Sequence, residues 1–504
     1  MNQNHIKALA LAVAVALSSP LALANDPFDE LERESTRVSQ SQQEKIEEFH
    51  AWLDNYLTEY ETWRDDYTRN LDKERAQLIN QWGSGEVSGS TKAVEYDSAN
   101  TLKKVVDYEN NEATISVLVD AKADGSAVIN DLESFDIDGQ TISMTNAVKE
   151  VALVDYSASQ EKKEKQFVLD QLKGQLQELD VQANRLVNSG TGIPDSFIYE
   201  RAYKKKLALI EATKPRLEAI AELFSQKRRE LGLDDVQESL PKPELPKEEP
   251  QKENKQHKVE AAPELIEEKV QDASTKNQDR VELEKEAVKE ETQQKPEVNL
   301  DIDKTIVPVK VEKKVVSYKV KLPENALKQR ASQFTPLVEE ESERWGINAA
   351  LIMAIMHSES SFRPTAKSHV PAYGLMQVVP TSAGHDVNKK FRQIDAPMKS
   401  DDLYVPTINV ETGTAYLNIL DKSYLKSITN DESRMYCVIA AYNTGAGNVA
   451  RAFNKDRSTN IRKAATVINS MTPDQVYQHL LENLPYDETR NYLQKVNSRI
   501  ALYK

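Results

Sequence analysis

The stretch that most constrains this chain is one that cannot fold. Residues 235–300 are rich in Glu, Lys, Gln and Pro and carry almost no aromatics, as Leu240 to Pro250 illustrates. They offer too little apolar surface to offset the entropy of ordering the backbone. The sequence therefore predicts a disordered charged linker over 235–300, with local helix, for instance over 281–291, left open. Folded structure has to come from its two sides, and 504 residues are enough for several domains. A formal net charge of −16 argues against a nucleic-acid partner. The single cysteine, Cys437, excludes an intrachain disulfide and, within the run Met435 to Ala441, reads as a small buried hydrophobe.

On the N-terminal side, residues 1–24 read as a secretory signal peptide. His5 and Lys7 give a basic start, Ala8 to Leu17 an apolar core too short to span a bilayer, and Ala22 to Ala24 a small-residue cleavage pattern. Over 39–81, Ile46, Phe49, Leu53, Tyr56, Tyr60, Trp63 and Tyr67 recur at steps of three and four, predicting a helix with an aromatic packing face. Over 90–155 the period falls to two. Leu102 to Tyr108 and Ala113 to Val119 flank the turn Glu109 to Glu112, predicting a hairpin, and 141–144 and 150–154 are further strand candidates. Beyond the linker, Val315 to Lys321 alternates in the same way.

Between these lies a helical pattern over 156–234. Leu169, Leu172, Leu176, Leu179, Ala183 and Leu186 form one seam, and Tyr203, Leu207, Ile210, Leu217, Ile220 and Phe224 a second, with a kink expected at Pro215. The break at Asn188 to Pro194 makes the two an antiparallel hairpin. A spacer arm is the reading placed first; a docking arm for a protein partner stands beside it.

From about 323 to 504 the pattern is mainly helical. A first helix carries Leu327, Phe334, Leu337, Val338, Glu341 and Trp345 and stops at Gly346; 405–425 and 434–443 are further helices. Leu351, Ile352, Ile355 and Met356 form an apolar face, Asn348 is a candidate N-cap, and Pro364 bars continuation. Glu359 thus falls in the last helical turn, where the negative end of the helix dipole and apolar neighbours both disfavour a charged carboxylate. A raised proton affinity is what a general acid needs near neutral pH. His357 and His369 lie nearby without metal-ligand spacing, so no metal and no cofactor is implied.

Glu359 does not stand alone. Glu359-Ser360, Phe362, Pro364, Ala366 and Ser368 lead into Gly374-Leu375-Met376-Gln377 and Pro380, Ser382-Ala383; Ala440 to Gly447 and Glu488 to Tyr492 follow. In this order and spacing the blocks resemble the lytic transglycosylase family with the goose-lysozyme-like fold. Gly374 to Val379, Thr412 to Leu417 and Met471 to Tyr477 are similar to the membrane-bound lytic murein transglycosylase C subfamily. The resemblance implies a small α+β domain over 25–155 completed by a strand within about 301–322, and a catalytic domain over 323–504. The whole is then an α+β multidomain chain: a split α+β N-terminal domain, an inserted helical hairpin (156–234) and disordered linker (235–300), and a mainly α, lysozyme-like C-terminal domain. Subfamily members are lipoproteins with a cysteine at the cleavage site; this chain has none there, so the expectation is a soluble periplasmic protein.

The resemblance also implies chemistry. Most glycoside hydrolases place two carboxylates across the bond, whereas these motifs supply one. A single carboxyl suffices if the substrate brings the nucleophile. Glu359 would protonate the leaving oxygen of a muramyl β-1,4 bond in peptidoglycan glycan strands, then as carboxylate take the proton of the C6 hydroxyl, leaving a 1,6-anhydromuramyl end. By the same resemblance Ser368 and Gln377 line the groove beside the acid, Tyr442 with Asn443 faces the carboxyl and the sugar, Glu488 contacts substrate, and Tyr492 hydrogen-bonds Glu359. Gly374 is expected to serve a tight turn and Met376 to fill apolar space. Two alternatives stay open: a muramidase using water with Asp386, Asp395, Asp401 or Asp402 as base, and a non-catalytic wall-binding scaffold.

Overall fold

The computed structural model describes residues 27–123, 134–137, 140–188, 194–233 and 312–504. The expected signal peptide at 1–24 and linker at 235–300 lie outside the described residues. Two compact units divide at Asp72, the second running from Lys73 to Lys504.

In the first unit the described residues belong to helix α1 (Pro27–Trp82), which begins well before the predicted start at 39. Of the aromatic stripe, the described side chains are those of Trp63 and Tyr67. Trp63 is 41 % exposed and stacks on Tyr67 one turn later, with centroids 6.1 Å apart. The buried positions are Glu61, Arg64, Thr68 and Leu71, next to the stripe on the helix surface. Arg64 pairs with Asp65 at 2.7 Å.

The second unit contains a five-stranded antiparallel sheet of order β1-β2-β3-β7-β6: β1 (Lys92–Tyr96), β2 (Leu102–Asp107), β3 (Glu112–Asp120), β6 (Val148–Leu153) and β7 (Lys313–Lys321). The predicted hairpin is β2–β3, with Asp107 opposite Glu112 across the Glu109–Asn111 turn. β7 lies between β3 and β6, pairing Ser317 with Ser116 of β3 and with Glu150 of β6. Chain from both sides of the linker thus builds one sheet. Ala113, Ile115 and Val117 are buried on one face of β3, and Ser116 and Leu118 on the other, so this central strand is covered on both sides. A two-stranded hairpin, β4 (Ser134–Ile137) and β5 (Gln140–Ser143), covers one region of it, burying Ile137 and Ile142 with Tyr108, Val320 and Leu322.

Helices α2 (Ala158–Asn188) and α3 (Asp195–Leu231) form the expected hairpin, with Leu172, Leu176 and Leu179 packed on Leu209 and Ile210. α3 continues through Pro215. The spacer reading does not hold, because α2 packs on the helices of the C-terminal region. Besides its apolar seam it buries Gln171, Gln175, Gln177, Asp180, Gln182 and Asn184. Val181 and Asn184 come so close to two glycines, Gly445 and Gly447, that a Cβ on Gly447 would lie 2.6 Å from the Asn184 side chain.

The C-terminal region is all helix: α4 (Ala326–Ser332), α5 (Thr335–Trp345), α6 (Ala349–Ser360), α7 (Ala383–Val387), α8 (Pro406–Ile419), α9 (Asp431–Thr444), α10 (Ala446–Phe453), α11 (Ile461–Ile468), α12 (Pro473–Asn483) and α13 (Asp487–Ile500). The predicted first helix is two. The chain breaks before Thr335, and Pro336 sits in the first turn of α5, where its missing N–H costs nothing. The apolar stripe still reads continuously because Leu327, Phe334, Leu337 and Trp345 pack on one core. Cys437 is fully buried in that core, and burial pushes its thiol up.

Candidate active site

The site is built at the end of α6. Asn348 caps its start, its Oδ1 accepting from the N–H of Ala350 at 2.8 Å and Leu351 at 3.3 Å. Every residue from Ala350 to Ser358 is buried, so this is a core helix whose last turn delivers Glu359 at the edge of the core. Termination is abrupt. Ser361 and Phe362 both take left-handed backbone, with φ of 51° and 64°, a conformation that costs non-glycine residues about 1 kcal/mol or more each. Burial of Phe362 (1 % exposed) and the hydrogen bond from Ser360 Oγ to Leu375 O at 2.7 Å hold it.

Glu359 is raised from 4.5 to about 8. Burial is the main cause; Glu488 adds to the rise, while the Tyr492 hydroxyl and Lys495 oppose it. The carboxyl is therefore protonated at neutral pH. Tyr492 makes no fully formed hydrogen bond, yet its buried hydroxyl lies close enough to Glu359 that each group shifts the other. Tyr442, on α9, faces the same carboxyl; its phenol is pushed well above its ordinary range by burial and by Glu359. Its hydroxyl donates to Met376 O at 2.8 Å, tying α9 to the Gly374–Gln377 turn.

That turn is tightly specified. Gly374 has φ 75°, and a Cβ there would lie 2.2 Å from Leu403 O. Asn409 of α8, fully buried, closes the turn by accepting from Met376 N–H at 2.8 Å and donating to Tyr373 O and Leu403 O at 2.8 and 2.7 Å. Met376 fills space as expected: a Cβ on Gly413 would meet its Sδ at 2.4 Å. Sequence reasoning missed Asn409; a lone amide inside an apolar helix pattern was the available signal.

The other expected residues divide. Asn443 Oδ1 accepts from Thr489 Oγ1 at 2.7 Å, joining the end of α9 to the start of α13. Glu488 keeps an exposed side chain, but the protein around it pushes its carboxyl up; Asp170 of α2 adds to this and a hydrogen bond with Asn443 opposes it. Gln377 and Ser368 serve their own loop. Gln377 Nε2 donates to Ala366 O at 3.1 Å and Gly374 O at 2.9 Å, leaving Oε1 buried without a partner. Ser368 Oγ donates to Val370 O and accepts from Ala372 N–H at 3.2 Å.

The four aspartates are not brought to Glu359. Asp386 pairs with Arg185 of α2 at 3.1 Å, Asp395 with His385 at 2.7 Å and Lys389 at 3.1 Å, and Asp401 and Asp402 are exposed. His357 is buried, lowered to about 4 by burial and then by Arg499, and bonded through Nδ1 to Tyr503 OH at 2.9 Å. His369 packs edge-on against Phe167 of α2.

Helix α2 supplies groups that no motif announces. Gln177 Nε2 donates to Asn443 O at 3.1 Å and approaches its Oδ1 at 3.4 Å. Asp180 accepts from Tyr486 OH at 2.7 Å, just before α13 begins, and is paired with Lys206 of α3. Gln171 Nε2 donates to His369 O at 3.0 Å.

Residues 336–465 match the family model described as Transglycosylase SLT domain. The chain is 48% identical over 188 residues to a membrane-bound lytic murein transglycosylase C of Pectobacterium atrosepticum, covering 37% of this chain and 51% of that protein. It is 45% identical over 190 residues to the Klebsiella pneumoniae protein of the same description, covering 38% and 51%. The chain thus spans about half the length of the curated relatives it matches. Among solved structures, the 70-kDa soluble lytic transglycosylase of Escherichia coli is similar at 27% identity over 34% of this chain and 24% of that one, with a TM-score of 0.26. The C-terminal part of the chain carries a transglycosylase SLT domain.

Proposed function

We propose that the protein is a peptidoglycan lytic transglycosylase. It cleaves the β-1,4 bond between N-acetylmuramic acid and N-acetylglucosamine in glycan strands, with Glu359 as acid and then base. The observation that carries this reading is the Glu359 carboxyl, pushed up to about 8 chiefly by burial. It enters the reaction protonated and gives its proton to the leaving oxygen. The carboxylate left behind then accepts the proton of the muramyl C6 hydroxyl as that oxygen closes on the anomeric carbon. One group acts twice, and no water is consumed. Tyr442 and Tyr492 face the carboxyl and keep it in place, Asn443 and Glu488 take sugar and N-acetyl groups, and Gln377 and Ser368 shape the loop beside them. Further support comes from the names of the matched relatives, which are lytic murein transglycosylases.

We propose that the activity lies in the periplasm, the reading that its peptidoglycan substrate supports. Separately, no helix among the described residues is long and apolar enough to cross a membrane. Any protein partner of the hairpin would meet its outer surface, since α2 is occupied by the C-terminal domain.

The test is mass spectrometry of soluble products released from purified peptidoglycan by the wild type and by Glu359→Gln. Anhydromuramyl products from the wild type alone are expected. Reducing-end products would make the enzyme a muramidase, and no products from the wild type would leave a wall-binding scaffold.

A further inference from the structure

One face of α13 carries Glu488, Tyr492, Lys495 and Arg499 at steps of four, three and four. Tyr492 faces Glu359. One turn on stands Lys495, and one turn beyond that Arg499, which donates to His357 O at 3.0 Å and Ser358 Oγ at 3.3 Å at the end of α6. Both cations meet the same carboxylate, and it comes from the sheet. Glu109, in the β2–β3 turn, accepts from Lys495 Nζ at 3.2 Å and pairs with Arg499 through the same oxygen. Its other oxygen lies 3.5 Å from the hydroxyl of Ser361, the left-handed residue that ends α6.

The turn that carries Glu109 is pinned on both sides. Tyr108 is buried beneath the guanidinium groups of Arg330 and Arg363, at 4.8 and 5.1 Å from its ring centre. Asn111 Nδ2 donates to Leu322 O at 3.0 Å and Pro323 O at 3.1 Å. Arg363 in turn donates to Gly89 O at 3.1 Å, and Arg330 to Ser361 O at 3.3 Å. Glu109 is therefore held at a fixed place against α6 and α13.

We propose that Glu109 is a positioning residue for Glu359, clamping Lys495 and Arg499 so that the Lys495 ammonium stays turned away from the acid. This rests on the transglycosylase reading of Glu359 given above. The groups that face Glu359 are Tyr492, Glu488 and Lys495 from α13 and Tyr442 from α9. His357, on α6 itself, is held neutral by burial. Lys495 is the one cation among them, and it already works against the protonated acid from its clamped position. Freed from Glu109, it stands one helical turn from Tyr492, the residue of α13 that faces Glu359. Moving there would stabilise the Glu359 carboxylate and remove the proton that the first step needs. Burial works to raise Glu109 itself, but Lys495 and Arg499 outweigh it and hold the carboxyl below its ordinary value, so the clamp is charged across the working pH range.

The experiment is a double-mutant cycle in the full chain with Glu109→Gln, Lys495→Met and both, reading kcat/KM for soluble product release against pH. Glu109→Gln is expected to move the alkaline limb down by about 1 pH unit or more, and Lys495→Met to move it up. In the Lys495→Met background, Glu109→Gln should no longer shift the limb. A limb unmoved by Glu109→Gln overturns the proposal, as does the same shift in both backgrounds, which would mark a merely structural role. The titration of the Glu359 side-chain carboxyl by 13C NMR, identified by its loss in Glu359→Gln, gives the same comparison without turnover. If wild-type protein cleaves no peptidoglycan, the functional reading fails while this titration still decides whether Glu109 governs Glu359.

Discussion

Replacing Glu359 by glutamine should stabilise the protein, and only on the alkaline side. The carboxyl is raised from 4.5 to about 8 in the folded chain, while the unfolded chain keeps the ordinary value. Between those two values the folded state binds the extra proton, so stability falls as pH rises through this window and levels off above it. This is the reverse of the usual salt-bridged carboxylate. Each tenfold difference in proton affinity is worth about 1.4 kcal/mol, so the full rise corresponds to about 5 kcal/mol. Glu359 retains some solvent access, and screening brings the expected effect to about 2–3 kcal/mol. Glutamine mimics the neutral carboxyl and has no such penalty. Scanning calorimetry of the full chain from pH 4.5 to 9 should show Glu359→Gln and wild type melting together at the acid end. By pH 8.5 the variant should melt roughly 5–10 °C higher, while cleaving no peptidoglycan. A difference that is the same at pH 5 and pH 9, or that shrinks with rising pH, would refute the assignment of a buried, protonated acid.

Two further outcomes follow from the hydrogen bonds around the site. Gln177→Ala removes one donor to Asn443 and should lower kcat/KM roughly fivefold, the equivalent of about 1 kcal/mol, in a product-release assay at saturating and limiting substrate. Asn409→Leu leaves the Met376 N–H and the Leu403 carbonyl buried without the Asn409 amide, while the Tyr373 carbonyl keeps its bond from Val378 N–H. At about 1 kcal/mol or more for each of the two, it should cost at least about 2 kcal/mol in a urea-unfolding measurement.

The features legible in the sequence are those written in local patterns. Asn348, the apolar run and Pro364 bracket α6, so the place of Glu359 in its last turn follows from residues within a few positions of it. Period-two alternation marked β3 and β7 although they lie on opposite sides of the linker, because each strand buries its own alternate residues. The role of α2 was not legible. Its apolar seam accounts for its contact with α3, but the face it turns to the C-terminal domain is Gln171, Gln177, Asp180 and Asn184. Amides and a carboxylate read as solvent-facing in a hydropathy pattern; here partners far along the chain satisfy them, Asn443 lying 266 residues from Gln177. Glu109 and Arg499 are 390 residues apart, and a glutamate in a predicted turn carries no hint of a partner at that range. The break between α4 and α5 was hidden for the opposite reason, since both helices present apolar residues to one core and the stripe does not register the interruption.

The same contrast separates what makes the C-terminal domain stable from what makes it reactive. Its core runs from Ala331 to Ile500 and contains no residue of the sheet or the hairpin. Burial within that core is the large favourable term. Glu109 and Gln177 add a part-exposed ion-pair cluster and a hydrogen bond, each worth about 1 kcal/mol or less in stability. They act where small displacements matter most, on the turn after α6, on α13 and on the Asn443 end of α9. Variants at Glu109 and Gln177 should therefore lose activity or shift its pH dependence while their melting temperatures stay within about 3 °C of wild type. Substitutions of core residues such as Ile355 or Leu493 should lose both together. Melting temperatures that fall in proportion to activity at Glu109 and Gln177 would mean that the sheet and hairpin merely hold the domain folded, and that the site owes its geometry to its own core alone.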